Sequence, residues 1–238
     1  MILLIDQGNS RIKYALWNGS ALHNVSSGQL ADLSAFINDA GNCTRALVSS
    51  VCDQGTKDEL STKLQELGLK AEFATTQISN HGLNNSYQHV ERMGIDRWLA
   101  MLALWAATQK GFILIDAGSA LTLDWVDNSG KHQGGHILPG LMMMQRSLLQ
   151  QTARVRFEPS SDNQSTKLGS DTESAVQNGC FAALSAYVTD ITTNILSRQE
   201  CEVFITGGDG DLIASQLHIN SKQMNHLVLD GLRYYFDV

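Results

Sequence analysis

A chain of 238 residues with a net charge of −7, 43% apolar and 17% charged, can bury a substantial core as one large domain or two small ones. The acidic balance argues against a general nucleic-acid or anionic-membrane surface, so an anionic substrate has to be met by a few local bases. Cys43, Cys52, Cys180 and Cys201 lack C-x-x-C spacing, which argues against a zinc site or a dense disulfide framework and suits reduced thiols in a cytoplasm. No apolar run is long enough to span a bilayer, and Asp6 interrupts the apolar start with no cationic segment before it. Neither a membrane span nor a secretory signal is expected.

In chain order, Ile2-Leu3-Leu4-Ile5 reads as a buried strand that runs into Asp6-Gln7-Gly8-Asn9-Ser10-Arg11-Ile12-Lys13. Glycine lets the backbone approach a ligand, and Asn9 and Ser10 add donors beside free backbone N–H groups. Asp6 can hold a hydrated divalent cation and Lys13 can set a positive charge against a phosphate, so the turn is a candidate phosphate cradle. The alternative is an ordinary hairpin with a solvated acid. Arg11 to Trp17 continues as a second strand into the hairpin signal Asn18-Gly19. Leu33, Phe36 and Ile37 mark a short helix with Asp32 placed to cap it. Ala46-Leu47-Val48 is a short strand ended by Ser49-Ser50, and Leu60, Leu64 and Leu67 mark an amphipathic helix stopped by Gly68. Strand, strand, helix, strand, helix is the order of a mixed α/β half-domain.

A polar loop from Asn80 to Asn85 delivers Tyr87, and Met93-Gly94-Ile95-Asp96-Arg97-Trp98 opens an apolar helix to about Thr108. Asp96 and Arg97 stand near a helix N-terminus, where orphan N–H groups and the dipole favour anions; a capping acid with a surface arginine is the alternative. Then the opening pattern returns. Ile113-Leu114-Ile115-Asp116-Ala117-Gly118-Ser119 matches the first strand–turn at an offset of 110 residues, Asp6 with Asp116, Gly8 with Gly118, Asn9 with Ser119. Two related halves, 1–110 and 111–238, are expected, each presenting an acidic strand–turn to a shared cleft. Leu121 to Val126 continues as a strand, Asp127-Asn128-Ser129-Gly130 turns it, and Gly134 to Gly140 brackets another short strand. His132 and His136 are four apart on that strand, a spacing that does not make a metal pair as it would on a helix. Leu141 to Gln151, with three consecutive methionines, reads as a helix buried nearly all round and a candidate subunit contact. A polar loop follows from Phe157 to Ser170, with Pro159, Asn163 and Gly169; Thr172 to Leu196 reads as a long helix capped by Asp171 or Ser170. A third glycine turn spans Val203 to Gly210, and the tail closes on Tyr234, Tyr235 and Phe236.

Five motifs in order, D-x-G-N-S with Lys13, Y-x(6)-G-I-D-R-W, D-x-G-S-A-x-T-x-D, G-G-x-I-x-P-G and T-x-x-A-x-x-x-G at Thr172 to Gly179, make the sequence resemble the type III pantothenate kinases. These belong to the acetate and sugar kinase/Hsc70/actin superfamily. The resemblance runs from Ile2 to at least Gly231. It implies two ribonuclease-H-like halves with mixed sheets flanked by helices, a cleft between them, and a homodimer that completes the substrate site. It implies ATP-dependent phosphorylation of pantothenate to 4′-phosphopantothenate, the first step of coenzyme A biosynthesis, with Mg2+ accompanying ATP. Asp6 to Lys13 corresponds to the first phosphate motif, Ser119 to a second phosphate contact, and Asp116 to a monovalent-cation ligand for K+ or NH4+. Asp96 corresponds to the general base. Tyr87, Gly94, Ile95, Asp96, Arg97 and Thr172 line the pantothenate pocket, Thr172 reaching across the dimer. Ser10 and Ser119 stand where threonine is usual, keeping the hydroxyl without its methyl; Val90 stands where proline is frequent. The alternatives are a kinase of the same superfamily acting on a sugar or small acid, and a nonenzymatic nucleotide-binding regulator.

Overall fold

The computed structural model describes residues 1–40, 43–151, 157–162 and 164–238; Asn163 of the polar loop lies outside the described residues. Two compact units divide the chain, Met1–Gln109 with His226–Val238, and Lys110–Asn225. In the first, β1 (Ile2–Gln7), β2 (Ile12–Trp17), β3 (Leu22–Gly28), α1 (Leu33–Ala40), β4 (Arg45–Ser50), α2 (Gln54–Glu66) and β5 (Lys70–Phe73) follow one another. The sheet order is β3-β2-β1-β4-β5, with β1 antiparallel to β2 and parallel to β4. Leu3, Ile5, Tyr14 and Val48 line one face and bury Leu33 and Ile37 of α1 and Leu60 and Leu64 of α2. Asp53 caps α2 by accepting from Thr56 N at 3.0 Å. Asp32 does not cap α1: it lies in a 3-10 turn, Leu30–Asp32, and its carboxylate accepts from Gln29 N at 2.7 Å. β3 escapes sequence reading because it is a sheet edge exposed from His23 to Ser27, with no buried face to impose alternation. The loop before Tyr87 holds a short hairpin, β6 (Ser79–Asn80) and β7 (Leu83–Asn84), and α3 (Ile95–Thr108) follows, buried from Trp98 to Trp105.

The second unit repeats the plan. β8 (Phe112–Ala117), β9 (Ala120–Val126), β10 (His132–Pro139), α4 (Leu141–Gln151), α5 (Thr172–Leu196), β11 (Glu202–Thr206), α6 (Gly210–Ala214) and β12 (Lys222–Gln223) give the order β10-β9-β8-β11-β12. Again the first three strands pair antiparallel and the last two add in parallel. Both units therefore have the ribonuclease-H-like strand order that the resemblance implies. Phe181, Leu184 and Val188 of α5 pack on Ile113, Ile115 and Leu123. α4 is not buried all round, because it has sheet on one side alone: Leu141 and Gln145 are buried and Met144 touches the core, while Met143 is 48% and Leu148 39% exposed. His132 pairs with Asp124 at 2.9 Å inside the sheet, both fully buried, which gives that histidine a structural partner.

The tail returns to the first unit. α7 (Leu227–Tyr235) packs along α3, and Gly231 permits it: a Cβ there would overlap the Leu99 carbonyl. His226–Val238 thus cluster with Met1–Gln109, whereas a boundary at 110/111 leaves them with the second half. α7 and α3 cover the sheet face opposite α1 and α2, the face to which strand alternation turns Leu4, Asp6, Leu47 and Ser49.

Candidate functional site

The first strand–turn is tight and mostly open to solvent. Gly8 N donates to Arg11 O at 3.1 Å, closing the turn, and Asn9, Ser10, Arg11 and Lys13 are exposed around it. Asp6 is half-buried at the end of β1, in register with Lys13 on one side and Ser49 on the other. Gln7 and Ile12 point the other way. Ile12 belongs to the core, so only its backbone is available to a ligand. The Gln7 side chain, 3% exposed, accepts from Ser50 Oγ at 2.7 Å and donates to Thr56 O at 3.3 Å, which ties the turn to β4 and α2.

Tyr87, Gly94, Asp96 and Arg97 come together in the same unit. Gly94 is the N-cap of α3, and Asp96 in its first turn accepts from Arg97 N at 2.8 Å, satisfying one orphan donor. A Cβ on Gly94 would lie 2.5 Å from Asp96 Oδ1, so glycine is what allows the carboxylate to curl back over the helix start. Arg97 is 6% exposed and donates from Nη1 to Tyr87 Oη at 2.8 Å, its guanidinium 5.7 Å from the ring centre. Tyr87 is itself fixed through its backbone N–H to Asn85 Oδ1 at 2.9 Å, and Asn85 reaches Met93 Sδ at 3.4 Å. Arg97 is therefore a buried, oriented cation and not the surface arginine of the simpler alternative. Ile95 is buried, so its side chain holds the helix start against the core.

In the second unit Asp116 is half-buried at the end of β8, Ser119 is exposed, and the turn closes through Gly118 N to Ala120 O at 3.0 Å. The third glycine turn packs against it. Gly207, at φ +95°, stands where a Cβ would meet Asp116 Oδ1 at 2.6 Å, and Asp209 N donates to Ala117 O at 2.9 Å. Burial pushes the Asp209 carboxyl up, opposed by a hydrogen bond from Ser161. Sequence reading marked the third turn but not this acid, whose only sequence signal was its place after paired glycines. A cavity of ≈ 10 Å³ lies between Gly118, Gly140, Leu184 and Asp209, room for about one water. Thr172 is exposed as the first residue of α5, one place after the Asp171 N-cap and inside the Asp171–Ser174 capping box, and no described contact joins it to Asp116 or Ser119. Among the described residues no group of three or more His, Cys, Asp or Glu side chains is arranged to hold a metal ion.

Residues 2–194 match the family model described as type III pantothenate kinase. Over 238 residues the chain is 38% identical to a type III pantothenate kinase of Marinobacter nauticus, covering 98% of this chain and 96% of that one. It is 36% identical over 248 residues to a type III pantothenate kinase of Cellvibrio japonicus, covering 100% and 98%. Among solved structures, a Campylobacter jejuni protein described under the Baf family of transcriptional activators superposes with a TM-score of 0.62 at 21% identity, covering 99% of this chain and 97% of that one. That likeness extends the shared fold across both units.

Proposed function

The chain belongs to the type III pantothenate kinase family, and on that premise we propose that it transfers the γ-phosphoryl group of ATP to the hydroxyl of pantothenate. The product is 4′-phosphopantothenate, which opens coenzyme A biosynthesis. The observation that carries the reading is the assembly of Asp96, Arg97 and Tyr87 at the glycine-capped start of α3. Phosphoryl transfer asks a protein mainly for positioning and charge stabilisation, and this assembly supplies an oriented acid beside an oriented cation.

In this reading Asp96 accepts the proton of the attacking hydroxyl. A carboxylate of ordinary basicity suffices, because in a loose transition state the hydroxyl gives up its proton late. Arg97, held by Tyr87, faces a substrate anion, and Gly94, Ile95 and Tyr87 shape the wall around it. Lys13, the Gly8–Arg11 turn and the Ser119 hydroxyl receive the nucleotide phosphates. Asp6 suits a hydrated magnesium ion: it offers a half-buried hard oxygen donor, and the buried Ser49 hydroxyl beside it in register has no partner among the described residues. When bound, that ion would offset charge on the β- and γ-phosphates. Asp116, with Gly207 keeping its carboxylate uncrowded, would hold potassium or ammonium.

The working unit is a homodimer in a cytoplasm. Ile137, Met143 and Leu148 are 63%, 48% and 39% exposed on the second unit, an apolar set that a second subunit would cover. The four cysteines are unpaired, and no helix of the described residues is long and apolar enough to cross a membrane. Coupled measurement of ADP release with pantothenate, set against a panel of sugars and small hydroxy acids, tests the activity. Turnover with pantothenate far above the panel is expected. Turnover with a sugar instead would reassign the substrate, and ATP binding without any acceptor would remove the enzyme.

A further inference from the structure

β4 ends in two serines with opposite fates. Ser50 faces α2 and its hydroxyl is spent, donating to Gln7 Oε1 at 2.7 Å. Ser49 faces the other side of the sheet, is 0% exposed, and its Oγ has no hydrogen-bond partner among the described residues. A hydroxyl closed off from water without a partner costs stability, and such groups in folded proteins call for a reason. Valine or alanine would fill the place without that cost.

What stands beside Ser49 supplies the reason. In the parallel ladder of β1 and β4, Ser49 is the register partner of Asp6, so the two side chains leave the same face of the sheet on strands about 4.8 Å apart. The same edge receives the start of α3: Ala74 N donates to Val48 O at 2.8 Å and Thr76 Oγ1 to Met93 O at 2.9 Å, one residue before Gly94. The second unit repeats the pair. On β11, Thr206 is the register partner of Asp116, again a hydroxyl beside the acid that ends the first strand. A hydroxyl recurring at this one register position in two sheets of equal strand order belongs to the acid rather than to local packing.

We infer that Ser49 is a positioning residue for Asp6: in the nucleotide-bound enzyme its hydroxyl donates to one oxygen of the Asp6 carboxylate. The other oxygen is thereby fixed toward the hydration shell of the magnesium ion. The inference rests on the reading of Asp6 as the acid on the metal side of the nucleotide. A charge-assisted hydrogen bond of this kind matters only when the carboxylate has to hold one orientation, which is when the metal–nucleotide is present. Ser49 touches neither phosphate nor acceptor, so it tunes binding of the magnesium complex and not of the nucleotide itself.

The test is Ser49→Ala in the full-length protein. Calorimetry with a non-hydrolysable ATP analogue, in magnesium and in EDTA, reads binding apart from turnover, and thermal unfolding reads the apo fold. We expect affinity for the magnesium complex to fall about tenfold, as for loss of one hydrogen bond to a charged group, with affinity in EDTA unchanged. The apo protein should melt no lower than wild type, since an unsatisfied hydroxyl has been removed. The magnesium dependence decides, whichever way the melting temperature moves: an undiminished dependence in Ser49→Ala overturns the inference. Asp6→Asn separates the two levels. If Asp6→Asn loses the magnesium dependence and Ser49→Ala keeps it, Ser49 alone is misread; if both keep it, Asp6 does not serve the metal and the underlying reading fails with it.

Discussion

A methyl group at position 94 displaces Asp96 without altering its chemistry. Gly94 sits at φ −56° and ψ 130°, a conformation open to alanine, so Gly94→Ala introduces no backbone strain. Its Cβ would, however, lie 2.5 Å from Asp96 Oδ1 and 3.6 Å from Asp96 Cγ. Close carbon–oxygen contacts stand at about 3.3 Å, so the oxygen has to retreat by roughly 0.8 Å. The 2.8 Å hydrogen bond from Arg97 N, which fixes the carboxylate, cannot survive that rotation intact. Misplacing a catalytic group by about 1 Å costs on the order of 100-fold in rate, and that is the expected fall in kcat. Replacing a glycine N-cap by alanine costs the fold no more than about 1 kcal/mol. Turnover is read by ADP release at saturating ATP and pantothenate, with thermal unfolding and nucleotide affinity as controls. A Gly94→Ala enzyme within about threefold of wild type would refute the claim that the glycine cap places the base.

Other outcomes follow from the same geometry. Asp96→Asn keeps the shape but removes the base, so turnover should fall about 100- to 10,000-fold while ATP binding persists; more than about a tenth of wild-type turnover would sink the assignment. Asp116→Asn should abolish the rise in rate that potassium or ammonium gives over sodium, and a wild-type enzyme equally fast in sodium would count against that role. Backbone hydrogen bonds from Thr56 and Ser174 hold the Asp53 and Asp171 carboxyls below the usual carboxylate range. Their capping is therefore present above about pH 4 and lost as the pH falls through the lowered values, so Asp53→Asn with Asp171→Asn should show a shallower loss of melting temperature in acid. Met143→Glu, placing a charge on the exposed side of α4 that is proposed to meet a second subunit, should yield monomers by light scattering that bind nucleotide but phosphorylate pantothenate poorly. Inactive Asp96→Asn and Thr172→Ala chains should regain part of the activity on mixing, whereas wild-type monomers with full activity would show a pocket built within one chain.

Much of this architecture is legible in the sequence because the acidic strand–turn occurs twice. Where a strand is buried on both faces, as Leu3-Leu4-Ile5 and Ile113-Leu114-Ile115 are, composition alone marks it. Where it is a sheet edge, as β3 is, hydrogen bonding decides and the side chains carry no pattern. The place of α7 depends on long-range packing such as the close approach of Gly231 to Leu99, between residues 132 apart in the chain. The spacing Tyr87 to Arg97 marked a candidate functional stretch, but nothing in it said that the arginine would be buried and bound to the tyrosine hydroxyl. Ser49 carried no signal at all, because a small residue ending a strand is ordinary until its partner strand is known.

The repeated sheets also differ in a way that bears on the ions proposed for the two acids. Asp6 has Lys13 as its antiparallel neighbour and Ser49 as its parallel one. Asp116 has Thr122 and Thr206 in those places. In the roles proposed above, the first acid stands in register with a lysine assigned to a phosphate, so its task is shared with the nucleotide. A hydrated divalent ion that keeps its waters and takes most of its charge balance from phosphates fits such a position. The second acid has hydroxyl residues, not a lysine, at its two ladder positions. Closing Gly207 against it without a side chain keeps its oxygen uncrowded. A monovalent ion suits that kind of place, since it brings too little charge to compete with an adjacent lysine and finds a carboxylate with hydroxyl oxygens on the neighbouring strands. Duplication thus supplied two equivalent acids, and the change from lysine to threonine one strand away is what supports giving them different ions.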